Sequence, residues 1–236
     1  MEKPLIFLTS SAASDQVAAL LEEYPTLKIV AESQQKIILS GHIQIARAYN
    51  DFPCIKDIEL EITIPLDQAL FPYVKDTGKH IAVDYPHRYA SGLLCLATDF
   101  DLMLHFINGF DLIQWMKDFV EPYYFSHEYF QRFGVFPFGD REHAFIGIIQ
   151  SYCDVLGIEK WAETAAVMCK IESNSLYRGH LPCFCGSGMK MRNCHGQHIL
   201  LFYQHPQLKE QLKADLSIIR KELNELNHGK NSNTSE

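Results

Sequence analysis

The chain has 236 residues, 47% of them hydrophobic, enough for one large or two small domains with a real core. Twenty-nine acidic against 21 basic side chains give a net charge of −8, which excludes a nucleic-acid binder as the default, because duplex affinity is supplied largely by cationic contacts to phosphate. Seven cysteines at no regular spacing do not form a secreted disulfide framework, and no apolar run approaches the roughly eighteen residues of a membrane span. The expected setting is therefore reducing and cytoplasmic, with no nucleic acid and no membrane as partner. The apolar run Leu5 to Leu8 is shorter than the core of a signal peptide.

Ser14 or Asp15 caps a predicted helix that runs through Tyr24, with Val17, Leu20 and Leu21 on one face and Pro25 ending it. Leu27 to Ala31 is a short strand. Lys36 to Tyr49 is a second, carrying Ile37, Ile38, Ile43, Ile45 and Tyr49, and Asn50-Asp51 makes a turn. Ile58, Leu60, Ile62 and Ile64 then alternate with Asp57, Glu59, Glu61 and Thr63, the period of a half-buried strand. Three such strands with short links form an antiparallel meander. Beyond Pro65 the period is lost, and Phe71 to Val74 and His80 to Val83 read as extended.

The next stretch, Tyr85-Pro-His-Arg-Tyr-Ala-Ser-Gly-Leu-Leu-Cys-Leu-Ala-Thr98, reads as a loop with one cysteine at its end. Pro86 and Gly92 bend the chain, and Leu93 to Leu96 is too short an apolar run for more than one strand-like step into a core. Cys95 thus stands where loop meets core, open to a macromolecule yet held by apolar neighbours, the setting that nucleophilic sulfur chemistry needs. The alternative is a small buried hydrophobe.

This order of helix, meander, proline-bearing segment and cysteine loop, with the ending Gly92-x-x-Cys95-Leu96, resembles the ubiquitin-conjugating enzymes over about residues 15 to 157. Their His-Pro-Asn motif stands as far before the active cysteine as Tyr85-Pro86-His87 stands before Cys95. The resemblance implies that Cys95 takes a partner protein's carboxyl terminus as a thioester from an activating enzyme and passes it to an amine of a protein target. His87 occupies the place of the family's asparagine, where it either donates to the oxyanion and can also act as a base near neutral pH, or acts structurally, capping the turn. Tyr85 replaces the leading histidine, and the tryptophan expected soon after the cysteine is missing. Asp99 and Asp101 either lower the pKa of an incoming lysine or cap the next turn. These departures are similar to the divergent bacterial branch of antiphage cyclic-oligonucleotide (CBASS) systems, which implies a ubiquitin-like modifier or a nucleotidyltransferase as the carried protein.

Phe110 to Phe119 is predicted as a helix closed by Pro122. The aromatic-rich residues 121 to 138 suit core or partner surface better than a cofactor box. Helices follow from about Arg141 to Val155, stopped by Gly157, and from Trp161 to Ile171.

Cys183-x-Cys185, eight residues, then Cys194-His195 offers three thiolates and one imidazole, the donor set of a closed, structural, tetrahedral zinc site. Gly186-Ser187-Gly188 lets the backbone return so that the second pair reaches the same ion. Both cysteine pairs, the Gly-Ser-Gly and Gly196 resemble the SEC-C motif, whose relatives bind proteins, which implies a docking tag or folding element. Phe184 and Met189 depart from that motif while the ligands are kept. From Pro206 a helix runs to about Asn227, with Leu212, Leu216, Ile219, Leu223 and Leu226 along one seam, packing on its own protein or pairing in a homodimer.

The expected fold class is α+β, an antiparallel β-meander flanked by helices with a small C-terminal zinc module and helix. The expected domains are 1–172, a linker at 173–180, the zinc module and helix at 181–227, and a disordered tail at 228–236. The expected function is a conjugating transferase with Cys95 and His87 as its catalytic residues, Zn2+ held by Cys183, Cys185, Cys194 and His195, and an activating enzyme, a modifier and a protein target as partners. A catalytically silent, zinc-containing binding adaptor is the rival.

Overall fold

The computed structural model describes residues 7–139, 142 and 144–232. Contacts divide the chain into two compact units, Met1–Ala97 with His105–Asp140, and Thr98–Leu104 with Arg141–Glu236.

The first unit is built on an antiparallel sheet in the order β1 (Lys28–Glu32), β2 (Lys36–Tyr49), β3 (Phe52–Pro65), β4 (Tyr73–Asp76). The alternation read from β3 sets its register: Ile37 pairs with Ile64, Leu39 with Ile62 and Ile43 with Ile58, all buried on one face. Asn50 and Asp51 both take positive φ, 47° and 61°, the conformation of a two-residue hairpin turn between long strands. β4 extends the meander by one strand beyond the three predicted. It is only four residues long, too short to show a period.

Helix α1 (Ser10–Glu23) precedes the sheet and buries Ala13, Val17 and Leu20. It begins earlier than predicted because its first turn is capped from afar: Ser10 N–H donates to Asp67 Oδ1 at 3.2 Å and its hydroxyl to Oδ2 of the same residue. After the sheet come α3 (Leu112–Trp115), a π-helical turn (Met116–Val120) and α4 (Glu121–Phe133). Pro122 was expected to close a helix here. Instead it lies in the first turn of α4, where a missing N–H costs least, and the wider π turn just before it carries the chain through. Tyr123, Tyr124, Phe125, His127 and Tyr129 of the aromatic stretch are buried, whereas Phe133, Val135 and Phe138 are exposed. Glu121 of α4 accepts from Tyr24 Oη at 2.6 Å and pairs with Arg47 of β2 at 3.0 Å, tying the helix to α1 and the sheet.

The second unit is helical: α2 (Asp99–His105), grouped here through Leu104, α5 (Ala144–Leu156), α6 (Trp161–Glu172), α7 (Gly196–Gln204) and α8 (Pro206–Ser232). Phe100 stacks on Tyr152 at 4.1 Å, and both rings lie near Phe202. α5 and α6, expected with the meander, thus group with the chain that carries the cysteine–histidine cluster. Leu212, Leu216 and Ile219 of the α8 seam are buried against α5, α6 and α7, and Leu223 is exposed. The side chain of Leu226 lies outside the described residues. α8 takes in residues 228–232, which were expected to be disordered, and 233–236 lie outside the described residues. Among the described residues, no helix is long and apolar enough to cross a membrane.

Candidate functional site

The cysteine loop is a hairpin. Tyr89 N–H donates to Leu93 O at 2.9 Å, Gly92 N–H to Tyr89 O at 2.9 Å and Cys95 N–H to His87 O at 2.8 Å, and Arg88 bridges Leu94. Gly92 closes the turn at φ +86°, a conformation that favours glycine. The hairpin is sewn to the free edge of β4, with Leu94 N–H donating to Val74 O at 3.0 Å and Lys75 bridging Leu93. Its position is therefore set by the sheet.

Antiparallel pairing makes His87 and Cys95 direct cross-strand partners. Residues so paired point to the same face, with Cβ atoms about 4.5–5.5 Å apart. Leu94 faces the other way and is buried, while Cys95 is half-buried. The thiol therefore reaches solvent from an anchored backbone. The His87 ring is half-exposed and stands edge-on to Phe136 at 5.3 Å and to Tyr85 at 5.9 Å. Tyr123 Oη donates to the His87 carbonyl at 2.8 Å, and burial drives that phenol's pKa up, so it stays a donor. Tyr85, which replaces the expected histidine, is buried under the loop against Tyr123, His127 and Phe130.

Two groups beside the hairpin were missed in the sequence. Tyr89 Oη donates to Cys95 Sγ at 3.4 Å, and Tyr123 holds the His87 carbonyl. Tyr89 was within reach of sequence reasoning: it lies two residues beyond His87, so reading 87–95 as paired strands puts it on the cysteine's face. Tyr123 comes from α4 and had no local signal. Asp99 and Asp101 lie in the first turn of α2, in the other unit, where Thr98 Oγ1 accepts from Asp101 N–H at 3.1 Å and Asp101 accepts from Ser151 Oγ at 2.9 Å. Cys54 is buried, and burial raises its pKa, the opposite of a reactive thiol's environment.

The second cluster holds Cys183, Cys185, Cys194 and His195, whose ligand atoms all lie within 4.8 Å of one another. The first pair enters on a short ladder in which Cys183 N–H donates to Met189 O at 2.7 Å and Pro182 bridges Lys190. Gly186 and Gly188, at φ +77° and +75°, turn the chain back, and a 3₁₀ turn (Met191–Asn193) delivers Cys194 and His195 just before α7. A tetrahedral ion with bonds of about 2.3 Å to sulfur and 2.0–2.1 Å to nitrogen needs edges of roughly 3.8 Å between sulfurs and 3.6 Å from sulfur to nitrogen. The observed separations are 3.6 Å for Cys185–Cys194, 3.4 Å for Cys183–His195 Nδ1 and 3.2 Å for Cys194–His195 Nδ1. The four residues fit a metal ion. Ser187, through its hydroxyl and its backbone N–H, lowers the Cys185 thiol to about 6. Ser187 also pulls on Cys194, but desolvation and the thiols of Cys185 and Cys183 leave that pKa raised. A second thiolate is thus disfavoured until a cation sits between them.

No family model matches the chain, and no curated protein and no solved structure matches it.

Proposed function

We propose that this chain is a transferase of the ubiquitin-conjugating kind, carrying a protein's carboxyl terminus as a thioester on Cys95 and delivering it to an amine of a protein target. The observation that carries the reading is the hairpin itself: a half-buried thiol, backbone-anchored on the edge of a four-stranded meander, with His87 directly across from it. A protein tail needs an open sulfur. Attack on its thioester needs that sulfur to stay still while charge grows on the carbonyl oxygen. His87, on the same face, is the group we assign to that oxyanion.

The cysteine–histidine cluster is read as a structural zinc site of the SEC-C kind. Zinc suits three thiolates and one imidazole, and four protein ligands leave no position for substrate. When bound, the ion cross-links the turn at 183–195; the chemistry belongs to Cys95.

The test is whether the chain isolated from the cells that express it, without reducing agent, carries a protein adduct that dithiothreitol releases. Cys95→Ala should abolish the adduct and Cys54→Ala should not. An adduct that survives Cys95→Ala would overturn the reading.

A further inference from the structure

Several side chains hold the hairpin around Cys95. Beneath the loop, Tyr123 Oη is bound to the His87 carbonyl, and His127 accepts from Ala82 N–H at 3.4 Å on one nitrogen and faces Glu128 at 3.2 Å on the other. Tyr89 is different. Its ring is 55% exposed, so water is at hand for its hydroxyl, yet that hydroxyl lies 3.4 Å from Cys95 Sγ in donating geometry. The strand pairing explains how it gets there, since Tyr89 and Cys95 are diagonal neighbours on one face of the hairpin, within reach for a long side chain.

We propose that Tyr89 is a catalytic residue of the cysteine site, its phenol donating a hydrogen bond to Cys95 Sγ that favours the thiolate both when it attacks and when it leaves. The transfer role rests on the reading of Cys95 as a carrier; the effect on the thiol does not. A donor aimed at sulfur stabilises S⁻ more than S–H, which lowers the thiol's pKa and raises the nucleophilic fraction. In the second half of the reaction an amine nitrogen forms a bond to the thioester carbonyl carbon and the carbon–sulfur bond breaks. The electron pair of that bond leaves on Sγ, and the amine's proton goes to solvent. The phenol meets the departing charge with its hydrogen and keeps its own proton, so nothing further has to be supplied.

The experiment is the pH dependence of iodoacetamide alkylation at Cys95, followed peptide by peptide by mass spectrometry on the full chain with its metal site loaded. Tyr89→Phe keeps the ring and removes the donor. The expected result is a rise in the apparent pKa of Cys95 by roughly 0.5–1 unit, hence about three- to tenfold slower labelling at neutral pH, with Cys54 and Cys169 unchanged. Tyr89→Ala separates shielding from donation, because loss of a mere cover speeds labelling and leaves the midpoint where it was. Superimposable profiles for wild type and Tyr89→Phe would overturn the proposal. No conjugation partner is present, so a null result here faults Tyr89 alone, and a missing cellular adduct beside a shifted profile faults the carrier reading alone.

Discussion

Cys95 N–H donates to the carbonyl oxygen of His87 at 2.8 Å, so the two residues assigned to catalysis are joined through backbone before their side chains are considered. The bond needs neither side chain, and each can be replaced without unpicking the hairpin.

His87 can therefore be tested cleanly. His87→Ala is expected to slow transfer to an amine by about 10²–10³, the usual cost of losing one oxyanion donor, while the thioester on Cys95 still forms. His87→Asn should recover much of the loss. Single-turnover discharge of the adduct onto free lysine measures it. Equal loss of loading and discharge would assign the imidazole a structural place against Phe136 and Tyr85 instead.

Gly196, the residue after the cysteine–histidine cluster, is a glycine explained by space. A methyl group built on it would meet the Met191 carbonyl oxygen at 2.5 Å. That oxygen accepts from Cys194 N–H at 3.0 Å, so Gly196→Ala pushes on the backbone of one of the four residues that could hold the ion. We expect a loss of about 10–100-fold in metal affinity, measured by competition with a chromophoric chelator. Unchanged affinity would mean that the turn at 191–195 relaxes freely.

On the proposed zinc reading, removing the metal is expected to unfold the cluster and spare the sheet. A structural zinc supplies roughly 10 kcal/mol or more to a small site, whereas the β2–β3 ladder has its own apolar face. Native-state hydrogen exchange after chelation should show protection lost over 181–204 and kept at Leu39, Leu60 and Ile62. Loss at both would contradict independent units.

Much of this was legible in the sequence, for identifiable reasons. Ile58, Leu60, Ile62 and Ile64 repeat with period two because one face of β3 is dry and the other is wetter until Glu61, beyond which both faces are buried, and the cysteine–histidine spacing is itself a constraint on the chain. What escaped was set from a distance. Asp67 starts α1 from 57 residues away, and the π turn admits Pro122 by changing the helix it joins. The loop of 85–98 showed its turn and its cysteine, but its pairing onto β4 depends on an edge that no local pattern announces.

Asp215 gives the second unit a pH dependence of known sign. It is buried on α8, where it accepts from Tyr152 Oη at 2.7 Å and from Gln211 Nε2 at 2.9 Å. Burial pushes its pKa from 3.8 up to about 6, partly offset by those two donors and reinforced by Asp99 and Asp101 on α2. The raised folded value means that the protonated carboxyl favours the fold: its contribution is complete below pH 3.8 and is lost as pH rises through about 6. Ionisation therefore costs on the order of 2–3 kcal/mol at neutral pH. Asp215→Asn should raise the urea midpoint at pH 8, and the difference from wild type should shrink as pH falls and approach zero only near pH 3, below both values. Parallel curves for the two proteins would refute this, and proton competition at the metal ligands cancels in the comparison.

The central claim is that Cys95 carries another protein's tail, and the most direct measurement replaces only the atom that bears it. Cys95→Ser, purified from the expressing cells, should hold the same added mass as wild type but as an oxygen ester. Dithiothreitol would leave it intact, mild alkali would release it, and tandem mass spectrometry would read a foreign carboxyl terminus at position 95. A Cys95→Ser chain that still carries a thiol-labile adduct of the wild-type mass would place that adduct on another residue and contradict the account.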